Sequence, residues 1–484
     1  MNKQYIYLAR VILEAETVLS VGSGDSDGLV DDLVTLDHLG LPCIPGTAIA
    51  GCLTKLPVLK AISGGPDTLN DDANHFASSF ITSDAYLIGP GHVRAQSIAD
   101  CKQYPFFNDF FSLPIRDHVR INHRGVADTK KWGKFDDQVV YKGARFICEL
   151  EIQSKEANEL VWLELLEFLK NHFLILGSGS RKGYGRLSCI EYYTRVYDLG
   201  NISDFNKYLD HSTELILPDE SIWSKISLPQ QQRINGFHLV DKVLLQSDDA
   251  LHFGSGQIDF EVDLNGEVVI DTDAGVKTEK CIIWDDNNKP VWKDYFLLAG
   301  TSIKGTIAHR FIYYNLCIED ILKEYVKDFP DDLTMITNPE EFNKFLKKLE
   351  SESIDPISLF EQKKEEIIIE VFGGAKDNNS EGRIGKVIVD DIYIPIDLFT
   401  KKDTMIHNSI DRFSGGTIDG ALFNETNISP EMGINFSVHF DQSLQVSQID
   451  QIKAIFEEVK DGKIPLGGKT TKGYGQFKNT LNAT

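Results

Sequence analysis

Two nearly matching loops hold the most phosphate-compatible chemistry in this sequence: Gly177-Ser178-Gly179-Ser180-Arg181-Lys182-Gly183-Tyr184-Gly185 and Gly467-Gly468-Lys469-Thr470-Thr471-Lys472-Gly473-Tyr474-Gly475. Glycine lets a backbone come close, exposed amides donate to phosphate oxygens, and Arg181, Lys182, Arg186, Lys469 and Lys472 supply charge. The other reading is a tight strand connection beside a helix. Lys182 and Lys472 are expected to have little to pack against. A second basic set, Arg120, Arg124, Lys130, Lys131 and Lys134, surrounds Trp132, a ring able to stack on a base or wedge between two. It can equally be a solvated loop with the ring laid on the surface; Lys401, Lys402, His407 and Arg412 form the parallel set. Asp25, Asp27, Asp31 and Asp32 crowd a third loop. Such carboxylates can hold a divalent ion through water, although acidic loops are usually only solvated. His309, His407 and His439 show no metal-ligand spacing with other His or Cys.

The elements that must hold these loops occur twice. The strand-like run Tyr5 to Leu19 enters Val21-Gly22-Ser23-Gly24, and Phe237 to Leu251 enters Phe253-Gly254-Ser255-Gly256. Ile44-Pro45-Gly46-Thr47-Ala48-Ile49-Ala50-Gly51 returns as Leu298-Ala299-Gly300-Thr301-Ser302-Ile303-Lys304-Gly305, and Gly143-Ala144-Arg145-Phe146 as Gly433-Ile434-Asn435-Phe436. The marks keep their order while their offset only grows, so the chain reads as two copies of one domain, the second with insertions. The copies are placed at 1–195 and 236–484, with a polar, turn-rich connector at 196–235. A helical insertion is expected at about 316–369, with Phe342, Phe345, Leu346 and Leu349 on one face.

Within each copy a strand leads through a loop to a helix, for which Thr47 and Thr301 suit N-caps and Gly46 and Gly300 allow close approach to a ligand at the helix start. Further strands are expected at Phe80 to Leu87, Val139 to Ile152, Lys386 to Ile394 and Ile434 to Phe440. Helices are expected at Glu159 to His172, with Leu160, Trp162, Leu163, Leu166 and Leu169 on one face, and at Gln448 to Val459. This mixture predicts an α+β class, two tandem domains of the ferredoxin-like (RRM-like, βαββαβ) type.

At 484 residues, 42% hydrophobic and 25% charged, the chain has the composition of a folded protein of two or three domains. Lys and Arg number 49 against 73 Asp and Glu, and the net charge of −24 excludes wholesale attraction to nucleic acid or anionic membrane, so any such site must be local. Seven scattered cysteines without a Cys-x-x-Cys pair exclude a disulfide framework and a structural zinc site. With no apolar stretch of about 18 residues, the chain is expected to be soluble, cytoplasmic and without a membrane partner.

Taken together these residues resemble the RAMP superfamily, and within it the crRNA-binding backbone subunits of type III CRISPR effector complexes. The resemblance rests on Leu19-Ser20-Val21-Gly22-Ser23-Gly24 followed by Val30 to Val34, on the two Gly-Thr helix starts, on Val371-Phe372-Gly373 with Ser409-Ile410-Asp411-Arg412, and on the terminal glycine loops. The sequence looks like two such subunits fused in tandem, although the first copy carries His118 to Arg124 where the second has Asp411-Arg412. The resemblance implies a subunit that binds crRNA, meets target RNA and assembles with other CRISPR effector subunits. It implies RNA contacts from Gly46, Thr47, Arg120, Arg124, Trp132, Arg181, Lys182, Gly183 and Arg186. In the second copy the matching residues are Gly300, Thr301, Lys304, Arg412, Lys469, Lys472 and Gly473. It further implies target cleavage by an Asp in the loop before the Pro-Gly helix, with transient Mg²⁺ or Mn²⁺. That position matches Asp31, with Asp32 open by one residue of register. In the second copy Asp271, Asp273 or Glu279 could stand there. The alternatives are a structural crRNA-binding subunit that does not cut, a processing endoribonuclease for precursor crRNA, and a protein scaffold without RNA.

Overall fold

The computed structural model of the chain describes residues 3–28, 30–64, 77–119, 121, 133–228, 239–255, 259–262, 268–316, 347, 355–374, 383, 385–397 and 400–478. They form two compact units, the first drawn from Met1–Asn122, Val126–Gly236 and Glu279–Tyr295, the second from Phe237–Thr278 and Phe296–Thr484. Both mix helices with antiparallel sheets.

The first unit runs β1 (Tyr5–Ala15), β2 (Cys43–Ile44), α1 (Gly46–Leu53), β3 (Phe80–Thr82), β4 (Ala85–Ile88), β5 (Ile115–Val119), β6 (Lys134–Gln138), β7 (Arg145–Ser154), α2 (Glu159–Asn171), β8 (Leu174–Ile175), β9 (Arg186–Asp198), α3 (Ile202–Leu209) and β10 (Ser224–Ser227). Its main sheet has the order β10-β9-β1-β7-β4-β2. Strand β1 is apolar at nearly every position because both its faces are covered. Tyr7, Ala9, Val11 and Leu13 enter one core with Ile49 and Leu53 of α1 and Trp162, Leu165, Leu166 and Leu169 of α2. The intervening Ile6, Leu8 and Ile12 meet Leu215 and Trp223 from the stretch after β9. Leu160 and Leu163, expected on the buried face of α2, are exposed. The stripe that fits an i, i+3, i+4, i+7 face is 162, 165, 166 and 169, and positions 160 and 163 fall outside it.

The second unit runs β11 (Leu239–Ser247), α4 (Gly300–Asn315), α5 (Pro356–Val371), β12 (Val387–Val389), β13 (Thr400–His407), β14 (Phe423–Pro430), β15 (Ile434–Phe440), α6 (Val446–Lys460) and β16 (Phe477–Lys478). Its sheet has the order β12-β15-β11-β16. Ile303, Ile307 and Phe311 of α4 and Ile452, Ile455, Phe456 and Val459 of α6 cover it. Both units therefore repeat one neighbour order: the strand after the terminal glycine loop (β9, β16), the first strand (β1, β11), the strand before the second covering helix (β7, β15), and a strand after the first (β4, β12). Of the expected insertion, 317–346 and 348–354, with Phe342, Phe345, Leu346 and Leu349, lie outside the described residues.

Each unit also carries a two-stranded arm, β5 with β6 and β13 with β14. The strands expected to run unbroken through 80–87 and 386–394 are each split at an acidic pair or its neighbour, Ser83-Asp84 and Asp390-Asp391. Among the described residues no helix is long and apolar enough to cross a membrane.

Candidate nucleic-acid interface

The terminal glycine loops are held by the same backbone bonds in both units. Leu176 N–H donates to Gly185 O at 3.0 Å and Leu466 N–H to Gly475 O at 3.0 Å, closing each loop. Ser178 N–H reaches Ser20 O and Gly468 N–H reaches His252 O, which ties each loop to the end of its unit's first strand region. Gly185 and Gly475 have φ of +80°, and a Cβ at either would lie 1.9 or 2.0 Å from the carbonyl oxygen of Leu176 or Leu466. Much of the glycine pattern is thus required by close backbone packing.

The loop side chains point at the base of the arm. Lys182 pairs with the buried Asp137 of β6 and sits 4.6 Å above the Phe135 ring. His118 of β5 stacks on Phe135 and hydrogen-bonds Asp137 Oδ2 at 3.0 Å, while Tyr184 Oη lies 3.3 Å from His118 Nε2. In the second unit Lys472 lies 3.1 Å and Lys469 2.5 Å from Glu425 Oε2, and Lys472 sits 4.6 Å above Phe423. His407 stacks on Phe423 and meets Glu425 Oε1 at 2.7 Å, and Tyr474 Oη reaches Met405 of the same arm strand. Burial alone would raise both carboxyls. The hydrogen bonds of His118 and Lys182 outweigh it and hold Asp137 below its usual range, and those of Lys469, Lys472 and Tyr474 hold Glu425 down at about 2. The expectation that Lys182 and Lys472 have little to pack against is therefore corrected: each ammonium is fixed by a buried anion and a ring face.

The acidic loop docks beside this junction. Asp31 Oδ2 accepts the Asp136 N–H at 3.0 Å, and Asp32 forms a parallel bridge with Asp137. In the second unit Asp273 Oδ2 accepts the Asn424 N–H at 2.9 Å, and Ala274 forms the parallel bridge with Glu425. Asp273 thus occupies the place of Asp31, and Ala274 that of Asp32. Glu279 is elsewhere, buried in a bidentate pair with Arg116 at 2.9 and 2.7 Å. Burial and the neighbouring Asp117 and Asp31 raise the Asp136 carboxyl, and Lys134 is drawn to Asp117 at 3.1 Å. Among the described residues no three His, Cys, Asp or Glu side chains gather as a metal site. Among the described residues, an ion at Asp31 would take its remaining ligands from water and a bound phosphate.

At the helix starts the structure differs from expectation. Thr47 and Thr301 lie inside the first turn, and the N-caps are Pro45 and Ala299 without side-chain caps. Asp84 and Asp391, at the strand breaks, instead accept the Gly46 and Gly300 N–H groups, each at 2.8 Å. A Cβ on Gly46 or Gly300 would fall 2.6 or 2.1 Å from a strand carbonyl, so these glycines serve helix-to-strand packing. Lys304 is half-buried with its Nζ beside Gly385. Arg186 lies over Phe173 at 5.8 Å, Arg181 is half-buried, and Gly183 and Gly473 close their turns with φ of +92° and +97°. Arg412 is exposed at the tip of the second arm, where Asp411 caps the Phe413 N–H. Arg120, Arg124 and Trp132 lie outside the described residues. Sequence reasoning missed Phe413, fully exposed beside Arg412, although an aromatic next to a cation just before Gly415-Gly416 was available as a signal. It also missed the paired acids Asp137 and Glu425, which are visible only as Phe-x-acid before the second copy of each mark is aligned.

The family model for the RAMP superfamily matches residues 12–188 and 248–478. No curated protein matches the chain. Among the solved structures to which the chain is similar are a chain of the apo type III-B Cmr-beta complex and one of the type III-B Cmr-beta complex bound to cognate target RNA. Each is 15% identical and covers 39% of this chain and 96% of its own, with TM-scores of 0.29 and 0.28.

Proposed function

The chain belongs to the RAMP superfamily, matched over two successive regions, and from that premise we propose that it is a cytoplasmic backbone subunit of a type III-like CRISPR ribonucleoprotein. In this reading each unit is a ferredoxin-like domain, supported by the repeated neighbour order of the sheets, and binds a segment of crRNA beside its arm and glycine loop. The observation that carries it is the second arm: an exposed Phe413 and Arg412 at its tip, above a base lined by Lys469 and Lys472. A ring and a cation on one ribbon, with two loop cations beside it, suit stacking on bases and contact with a phosphate chain, and they do so in a protein whose total charge repels RNA. The test is co-purification: the chain should carry nuclease-sensitive RNA, and Phe413→Ala with Arg412→Ala should weaken its retention.

We further propose that the first unit cuts complementary target RNA at Asp31. A divalent ion held there would stabilise charge on the scissile phosphate while the adjacent 2′-hydroxyl attacks. This chain's own part is to hold the Asp31 carboxylate against the Asp136 amide, so that one oxygen is fixed. A structural subunit that does not cut is the second reading, favoured by the engagement of Asp31 Oδ2 with the Asp136 amide, which suits a carboxylate that only pins its loop. Target cleavage by the assembled complex with Asp31→Ala separates the two.

A further inference from the structure

The strongest feature outside the assignments above is the arrangement at the foot of each arm. Around it the two units differ freely: Arg181 stands against Thr471, Asp136 against Asn424 and Asp32 against Ala274. The acid, the stacked His and Phe, the loop Lys and the loop Tyr are nevertheless present in both, with the ammonium 4.6 Å above the ring each time. We infer that Asp137 and Glu425 are positioning residues, each latching the terminal glycine loop to the foot of the arm so that loop and arm form one rigid piece. The consequence for RNA rests on the function proposed above; the latch itself does not.

The physical need is plain on both sides of the contact. A two-stranded ribbon is marginal by itself and must be anchored at its foot. Backbone amides at Ser178 and Gly468 tie the loop to the first strand region, while Lys182 N–H is spent on Gly179 O and Lys472 N–H on Lys469 O within the 3₁₀ turn, so the contact with the arm is made by side chains. A buried carboxylate reached by a cation is directional and costly to leave half-made, which gives the junction one geometry. The tyrosine adds a second strap, since Tyr184 and Tyr474 each reach the first strand of the arm.

Hydrogen exchange on the full chain tests this. Glu425→Gln should speed exchange of the loop 467–475 and of β13 together, by on the order of ten- to a hundredfold, and leave the first unit unchanged. Glu425→Asp should restore protection. Asp137→Asn should do the same to 177–185 and β5, and answers the question alone if the other variant does not fold. Exchange that is unchanged, or that rises in the loop without the arm, overturns the latch. So does a rise spread evenly through the unit, which would mark a general packing role. In the same samples a labelled single-stranded RNA should bind more weakly with an unchanged salt slope, because no cation has been removed. Tighter binding with a steeper slope would overturn the inference, since the acid would then be screening the lysines. A latch that opens with no change in RNA affinity upholds it and removes these loops from the RNA-binding reading.

Discussion

Replacing Asp31 in three ways separates its electrostatic role from its structural one. Its Oδ2 accepts the Asp136 amide at 3.0 Å and the side chain is otherwise exposed. Asp31→Asn keeps an oxygen for that amide and loses only charge; Asp31→Ala loses both, and frees the amide to water at a cost of about 0.5–1.5 kcal/mol of local stability. If the carboxylate places a divalent ion at the phosphate, both variants should slow target cleavage on the order of a thousandfold, about 4 kcal/mol at the transition state. Only Asp31→Ala should also loosen the acidic loop in hydrogen exchange. Asp32→Ala should cut near the normal rate, because Ala274 fills that place in the second unit while Asp273 fills that of Asp31. The assay is single-turnover cleavage by the assembled complex with Mg²⁺, with guide and target binding measured alongside. Wild-type rates for Asp31→Asn would refute the electrostatic argument, and a thousandfold loss in Asp32→Ala alone would place the register one residue later.

Gly300→Ala should destabilise the second unit by about 3 kcal/mol or more, since its Cβ would fall 2.1 Å from the Val389 oxygen; thermal melts and exchange of α4 check this. Lys182→Glu should cost about 3–5 kcal/mol of local stability by setting a second carboxylate against buried Asp137, so RNA loss in that variant must be read beside its melting curve. Glu425, lowered from 4.5 to about 2, stabilises the second unit fully above pH 4.5 or so, and this contribution should fade as pH falls toward 2. His407, Lys469, Lys472 and Tyr474 face it. Melts of wild type should show this extra acid sensitivity, and Glu425→Gln should flatten it.

The repeat, the α+β mixture and the two loops were legible in the sequence because they depend on local pattern. Glycine runs mark positive φ, alternation marks strands, and Ile452, Ile455, Phe456 and Val459 spell out one face of α6. Register on α2 was less legible, because Leu160 and Leu163 are as apolar as the residues actually buried and only the sheet beneath selects between them. Thr47 and Thr301 have the chemistry of N-caps, yet the helices begin one residue earlier, at Gly46 and Gly300, whose amides go to Asp84 and Asp391, acids far along the chain that arrive through a strand break.

The charge of the loops shows the division most clearly. Lys182, Lys469 and Lys472 are visible as cations beside glycine in the sequence by itself, since a residue's type and its neighbours in the chain suffice for that. Whether such a cation is free or committed depends on what the fold brings beneath it. Asp137 and Glu425 come from arm strands distant in sequence, and burial makes their pairing strong where an exposed pair would be weak. The resemblance already singled out Asp31; that Asp273 is its counterpart, and Ala274 that of Asp32, follows only from two parallel bridges, one in each unit, a register that no local pattern encodes.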